Sequence, residues 1–171
     1  MMRDVLERDA AAIAAIYAHH VLHGTASYDT EPPTIEETVA KIRRVASAGW
    51  PFMVADEGGQ VAGYAYATQI RDRAAYAWTA ENSIYVHPDR QGRGIGKALL
   101  QELCRRTEAC GFRQLVAVIG GREEASVRLH ASCGFREVGR LYAAGWKHGR
   151  WLDTVYMQRA LGLGSREPPE P

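Results

Sequence analysis

The sequence predicts an α+β domain, a mixed sheet flanked by helices. Three observations carry that expectation. Strand-like and helix-like patterns alternate along nearly the whole chain instead of separating into blocks. Two helical patterns come first, then a meander of short strands, then a strand–helix–strand–helix–strand–strand run. With 171 residues and no internal repeat, the chain has the length of one domain and can bury a core between such layers.

The elements are justified in order. Asp9 is placed to cap a first helix whose apolar positions include Ala12, Ile13, Ile16 and Tyr17. Thr34 and Glu37 have capping-box spacing and open a second helix that ends near Gly49. Residues 51–55 read as a strand, Asp56-Glu57-Gly58-Gly59 as a hairpin turn and 61–68 as the returning strand. Residues 81–86 form another strand, followed by a glycine-rich loop and a helix from Ile95 to about Cys110, stopped by Gly111. Leu115-Val116-Ala117-Val118-Ile119 is a buried strand. A short helix over 125–132 ends before Gly134, and strands over 135–141 and 151–158 pair about the turn Lys147-His148-Gly149-Arg150. One domain is expected over 1–161. The tail 162–171 combines Gly, Pro and charge without an apolar pattern, which predicts a mobile segment.

Composition excludes several classes. A formal charge of +1 offers no broad basic field for nucleic acid. No apolar run approaches the roughly 20 residues needed to span a bilayer, and no signal-peptide core stands at the N-terminus. Cys104, Cys110 and Cys133 are odd in number and lack CxxC or metal-type spacing. They read as reduced thiols of a cytoplasmic protein with no metal site.

The most informative stretch is Gln91-Gly92-Arg93-Gly94-Ile95-Gly96, set between a strand and a helix start. Such a loop gathers free backbone N–H groups at the positive end of a helix dipole, which suits a phosphate or pyrophosphate. A P-loop would need a glycine at 91 and Ser or Thr at 98, where Gln91 and Ala98 stand. The dinucleotide fingerprint would need a glycine at 97 or 99, where Lys97 and Leu99 stand. Taken alone, the remaining Q-x-x-G-x-G also reads as an ordinary turn. It resembles the pyrophosphate loop of the GNAT superfamily of acetyltransferases. The resemblance implies a mostly antiparallel, twisted sheet of about seven strands whose central strands splay apart to bind acetyl-CoA. The implied cofactor residues are Gln91, Gly92, Arg93, Gly94, Ile95, Gly96 and Lys97, with Ile84, Tyr85 and Val86 on the strand before the loop.

Four further segments are similar to the phosphinothricin acetyltransferase branch, which grades into the methionine sulfone and sulfoximine acetyltransferases. They are the run from Ala75 through Val86, Val116-Ala117-Val118-Ile119-Gly120, Ser126-Val127-Arg128-Leu129-His130 before Gly134-Phe135, and the run from Ala143 through Asp153. One position departs from the pattern. Relatives carry Asn in the loop before the last helix, where its side chain reaches the cofactor; here the residue is Glu123. A carboxylate beside an anionic cofactor is unfavourable, so Glu123 either points away at the helix N-terminus or leaves that contact unmade.

Acetylation of an amine requires a base for the ammonium proton, a donor for the oxyanion and an acid for the thiolate. Glu81 opens an otherwise apolar strand that leads into the loop, and the resemblance sets it beside the substrate amine; by position alone it is equally a solvated strand-end glutamate. His130 stands where many relatives carry the Tyr that protonates the thiolate, and it suits either acid or base; its plainer reading is a packed helix histidine. The resemblance implies a backbone N–H of Ile84-Tyr85-Val86 as the oxyanion donor. Arg71 and Arg73 match carboxylate or phosphinate geometry, and the resemblance puts their loop at the acceptor site; by type alone they read as exposed surface arginines. Tyr28, Tyr76, Asn82 and Ser83 are expected there with them, Trp78 being a further wall candidate, and each of these aromatics reads equally as core. His19, His20 and His23 read as surface or helix-end residues with no role. The hairpin from Trp146 to Trp151 either completes the site or forms a contact between two copies, since relatives are commonly dimers. The expected function is acetyl-CoA-dependent N-acetylation of a small amino-acid analogue. The alternatives are acetylation of a polyamine or a protein N-terminus, or a CoA-binding sensor without turnover.

Overall fold

The computed structural model describes residues 1–121 and 123–169. Seven strands form a single sheet in the order β1-β2-β3-β4-β5-β7-β6. They are β1 (Met2–Asp4), β2 (Phe52–Glu57), β3 (Gln60–Gln69), β4 (Thr79–Val86), β5 (Gln114–Gly120), β6 (Arg136–Lys147) and β7 (Arg150–Ala160). Helices α1 (Ala10–His23) and α2 (Ile35–Ser47) precede β2; α3 (Ile95–Ala109) joins β4 to β5, and α4 (Glu124–Ser132) joins β5 to β6. Neighbouring strands are antiparallel except β4 and β5, which run parallel.

Alternation along the strands assigns side chains to two layers. Phe52, Val54 and Tyr64 pack with Ile13, Ile16, Ile42 and Val45 under α1 and α2. Met53, Ala65 and Leu115 pack with Leu99, Leu100 and Leu103 of α3 on the opposite face, together with Phe135 and Met157. The capping box of α2 is formed, with Glu37 N–H donating to Thr34 Oγ1 (3.1 Å) and Thr34 N–H to Glu37 Oε2 (2.8 Å).

Three expectations are corrected, and one strand was not expected. Asp9 does not cap α1; its carboxylate accepts from Leu6 N–H (2.8 Å) and from both terminal nitrogens of Arg3, closing a 3-10 turn before the helix. The short edge strand β1 has no counterpart in the sequence reading. β4 begins at Thr79 rather than Glu81. β6 does not stop at Leu141 but resumes after a bulge and runs to Lys147. At that bulge Tyr142, Ala143 and Ala144 stand opposite Asp153, and Ala143 adopts φ 48° with its N–H on Asp153 Oδ1 (3.1 Å). In the tail, Gly164 N–H donates to Leu161 O (2.8 Å) in a turn that starts at buried Leu161, just past the end of β7.

Candidate active site

β4 and β5 pair only from Thr79↔Gln114 to Asn82↔Ala117, although β4 continues to Val86 and β5 to Gly120. Beyond Asn82 the two strands therefore diverge. Ile70 N–H donates to Thr79 O and His87 N–H to Ala62 O, while Trp78 O accepts from Arg113 and Gln114 on the β5 side. Odd-numbered residues of β4 thus spend their backbone on β3, and even-numbered ones face β5 or, past Asn82, the gap. The amides of Ile84 and Val86 face the gap, and that of Tyr85 does not.

The wide end of the gap opens into a groove of about 520 Å³. Its floor is Ile84, Tyr85 and Val86, and one wall is Gln91, Gly92 and the start of α3 at Gly94, Ile95, Gly96 and Lys97. Gly94 occupies the N-cap with φ 80°, a left-handed conformation that glycine adopts without strain. It provides no side-chain cap, and the first intrahelical bond runs from Ala98 N–H to Gly94 O. The amides ahead of Ala98 are left for an anion. Arg93 is the one loop residue outside this groove; it lines a separate cleft with Arg8 and Glu57.

The groove also contains residues without an expected role. His19, His20 and His23 of α1 form its other wall. His20 Nε2 lies 3.0 Å from Val86 O. A carbonyl only accepts, so Nε2 carries the proton and the Val86 carbonyl is satisfied across the gap. Burial lowers the His20 pKa, opposed by this bond. Nothing in the sequence pattern marks His20, because the bond joins residues of α1 and β4 that only the fold brings together.

The narrow end of the gap meets a second cleft of about 260 Å³. Glu81, Asn82, Ser83, Tyr28 and His130 all line it, as do Tyr17, Asp29 and Tyr66. Glu81 lies on the α1–α2 face, opposite Thr68 of β3. Burial pushes its carboxyl above the usual range, and the charge of Arg71 opposes this. Asn82, on the other face, meets His130 Nε2 through its side-chain amide at 3.2 Å. His130 Nδ1 is 2.8 Å from Ser126 O and must donate to it, so Nε2 holds the lone pair and accepts from Asn82. His130 is 2% exposed, and burial lowers its pKa. The ring is therefore a neutral acceptor with its proton committed to α4.

Arg71, Arg73 and Tyr76 are exposed on the segment between β3 and β4, outside the residues that line the cleft. Arg71 Nη1 donates to Ile70 O (2.8 Å). Trp78 is half-buried near Gly111, away from the cleft. The Tyr28 hydroxyl instead reaches β7, donating to Asp153 O (3.1 Å) and meeting Thr154 Oγ1 at 2.5 Å. Among the described residues, no group of His, Cys, Asp and Glu is arranged to hold a metal ion, and no helix is long and apolar enough to cross a membrane.

Comparison with known proteins gives a consistent result. The family model described as an acetyltransferase (GNAT) domain matches residues 2–156. A phosphinothricin N-acetyltransferase of Alcaligenes faecalis is 48% identical over 99% of this chain and 86% of its own length. An L-methionine sulfoximine/L-methionine sulfone acetyltransferase of Salmonella typhimurium is 39% identical over 90% of each chain. The crystal structure of a GNAT phosphinothricin acetyltransferase from Sinorhizobium meliloti, in complex with AcCoA, superposes with a TM-score of 0.97. It is 47% identical, with 99% of this chain and 92% of that chain covered.

Proposed function

The chain belongs to the GNAT acetyltransferase family, and from that premise we propose that it transfers the acetyl group of acetyl-CoA directly to the amino group of a small amino-acid analogue, of the phosphinothricin or methionine sulfoximine type. The observation that carries this reading is the join of two clefts at the β4–β5 divergence, one lined by the glycine loop and the other by the half-buried carboxylate of Glu81. The amides at the start of α3 hold the pyrophosphate, and the pantetheine arm lies along β4 in the missing strand position. The amides of Ile84 and Val86 donate to that arm and to the oxyanion, a task that parity denies to Tyr85. Glu81 takes the ammonium proton. Its raised pKa supports this role, because a base works best with a pKa near the operating pH.

His130 is better suited to holding Asn82 at the cleft than to giving up a proton, since its Nδ1–H is bonded to Ser126 O. The thiolate then takes its proton from the acceptor nitrogen, directly or through water. Arg71 acts on the site through its field at Glu81. The carboxylates of Asp29, Glu81 and Glu123 in the cleft lining favour a polyamine acceptor as the second reading.

We also assign the outer face of the β6–β7 hairpin to a contact with a second copy of the chain. β6 is an edge strand, and Trp146 and Trp151 are 58% and 64% exposed with ring centroids 5.2 Å apart. Their exposure supports an interface. The three cysteines are free thiols, in keeping with action in the cytoplasm.

The deciding experiment follows thiol release from acetyl-CoA with L-phosphinothricin, methionine sulfoximine, methionine sulfone and a polyamine. Turnover with the amino-acid analogues and not the polyamine is expected. Tight acetyl-CoA binding with no release for any acceptor would overturn the enzymatic reading in favour of a sensor.

A further inference from the structure

Five residues line both the groove and the second cleft: Ala26, Ile84, Tyr85, Glu123 and Ser126. They form the threshold between the two half-sites. Ala26 belongs to a strap, residues 24–28, that leaves the end of α1 and lies across the β5–α4 turn. The approach is close. A Cβ on Gly120 would fall 2.7 Å from Thr25 O, and one on Gly121 2.4 Å from Thr25 Cβ.

One side of this strap is tied to the C-terminal hairpin. His148 Nε2 lies 3.1 Å from Gly24 O, and Lys147 Nζ donates to Ser27 O at 2.6 Å. Lys147 is only 4% exposed. On the other side Thr25, which is buried, donates its hydroxyl to Glu123 Oε1 at 2.6 Å. That is a short, charge-assisted bond between residues 98 apart in sequence. Glu123 sits at the N-cap of α4 without capping it, so its carboxylate is available to the strap.

We propose that Glu123 is a positioning residue: its carboxylate, held by Thr25, is the strut that fixes the strap over the threshold and sets where the acceptor amine meets the thioester. The second half of this proposal rests on the transferase reading above; the strut itself does not. The proposal accounts for a carboxylate close to an anion-binding groove. One of its oxygens is committed to Thr25, and the negative charge stands at the α4 N-terminus, where the helix dipole favours it. Asparagine at this position is one methylene shorter and does not span to Thr25.

The test uses the full chain with Glu123→Ala, Glu123→Asn, Glu123→Gln, Thr25→Val, Thr25→Ser and the double variant Thr25→Val/Glu123→Ala. Two readouts are taken: hydrogen exchange of the strap amides without ligands, and the KM for acceptor and for acetyl-CoA separately. Loss of a hydrogen bond to a charged group is expected to speed strap exchange by roughly tenfold or more. Glu123→Ala, Glu123→Asn and Thr25→Val should each do so and raise the acceptor KM by about the same factor, with a smaller change for acetyl-CoA. The double variant should be no worse than either single one. Glu123→Gln and Thr25→Ser, which keep an acceptor and a donor, should retain strap protection.

Multiplying effects in the double variant, or unchanged exchange in both single variants, would overturn the strut. A rise confined to the acetyl-CoA KM would overturn it in favour of a charge effect on the cofactor. Strap exchange that responds as expected, in a chain that acetylates no acceptor, would keep the strut and overturn the purpose assigned to it.

Discussion

Glu81 and Asn82 are neighbours in β4, yet their side chains leave the strand on opposite faces, Glu81 toward the aromatic layer under α1 and Asn82 toward His130 of α4. Glu81 is half-buried with no ion-pair partner in contact among the described residues, an arrangement that is costly when the carboxyl is charged. We therefore expect Glu81→Gln to slow turnover by about 10²–10⁴-fold while acetyl-CoA binding, measured by calorimetry, is kept. The folded pKa of Glu81 lies above the ordinary carboxyl value. Its contribution to stability is thus complete below the unfolded pKa and is lost as pH rises through the folded one. Glu81→Gln should accordingly melt higher than the natural chain at neutral pH, with the advantage fading in acid. A variant that melts lower at pH 7 would contradict the burial argument. The acid limb of kcat/KM should also lie above the usual glutamate range. The glycine loop was legible in the sequence because it stands in a local pattern, a helix start after a strand; Glu81 was named from the family resemblance, and it is the third residue of its strand rather than the first. His20, Thr25, Asp29 and Lys147 were not legible, because their partners lie in distant elements and no local period records a tertiary hydrogen bond. Glu123 was visible only as a departure from a family pattern, and its partner Thr25 carried no signal.

At the scale of elements, α2 to α4 and β2 to β5 were legible from caps, glycine stops and alternation. β1 was not, since three residues are too few to show a period. β6 was cut short because Tyr142, Ala143 and Ala144 interrupt its alternation. The bulge shows how the hairpin serves the cleft. On its far side Gly145 faces the Tyr28 ring so closely that an added Cβ would fall 2.3 Å from Cε1. Gly145→Ala must therefore displace the ring or the strand. We expect a loss of about 1–3 kcal/mol in stability, the usual range for overpacking, together with a higher acceptor KM and an unchanged Kd for acetyl-CoA. Denaturant melts and steady-state kinetics would check both, and a rise in the acetyl-CoA Kd would show that Tyr28 does not belong to the acceptor side.

For the whole molecule, the largest group of exposed apolar side chains among the described residues stands on the last hairpin, with Val138, Leu141, Tyr142, Trp146 and Trp151. The β6–β7 hairpin that offers Trp146 and Trp151 also holds the strap through Lys147 and His148, so a contact there would brace the acceptor side of the site. Trp151→Asp should convert a dimer to a monomer in sedimentation velocity and raise the acceptor KM several-fold; a dimer that survives the change would move the interface elsewhere. A different consequence follows from the sheet itself. Its first four strands and its last three are laced together by only four rungs, from Thr79 to Asn82. Past Asn82 the sheet is split, while both halves stay joined through one core that includes Met53, Ala65, Leu115 and Met157. A cofactor arm seated along Ile84 and Val86 would take up the backbone groups that the split leaves unpaired, so donor binding should slow amide exchange on β4 at Ile84 and Val86 and leave Tyr85 unchanged.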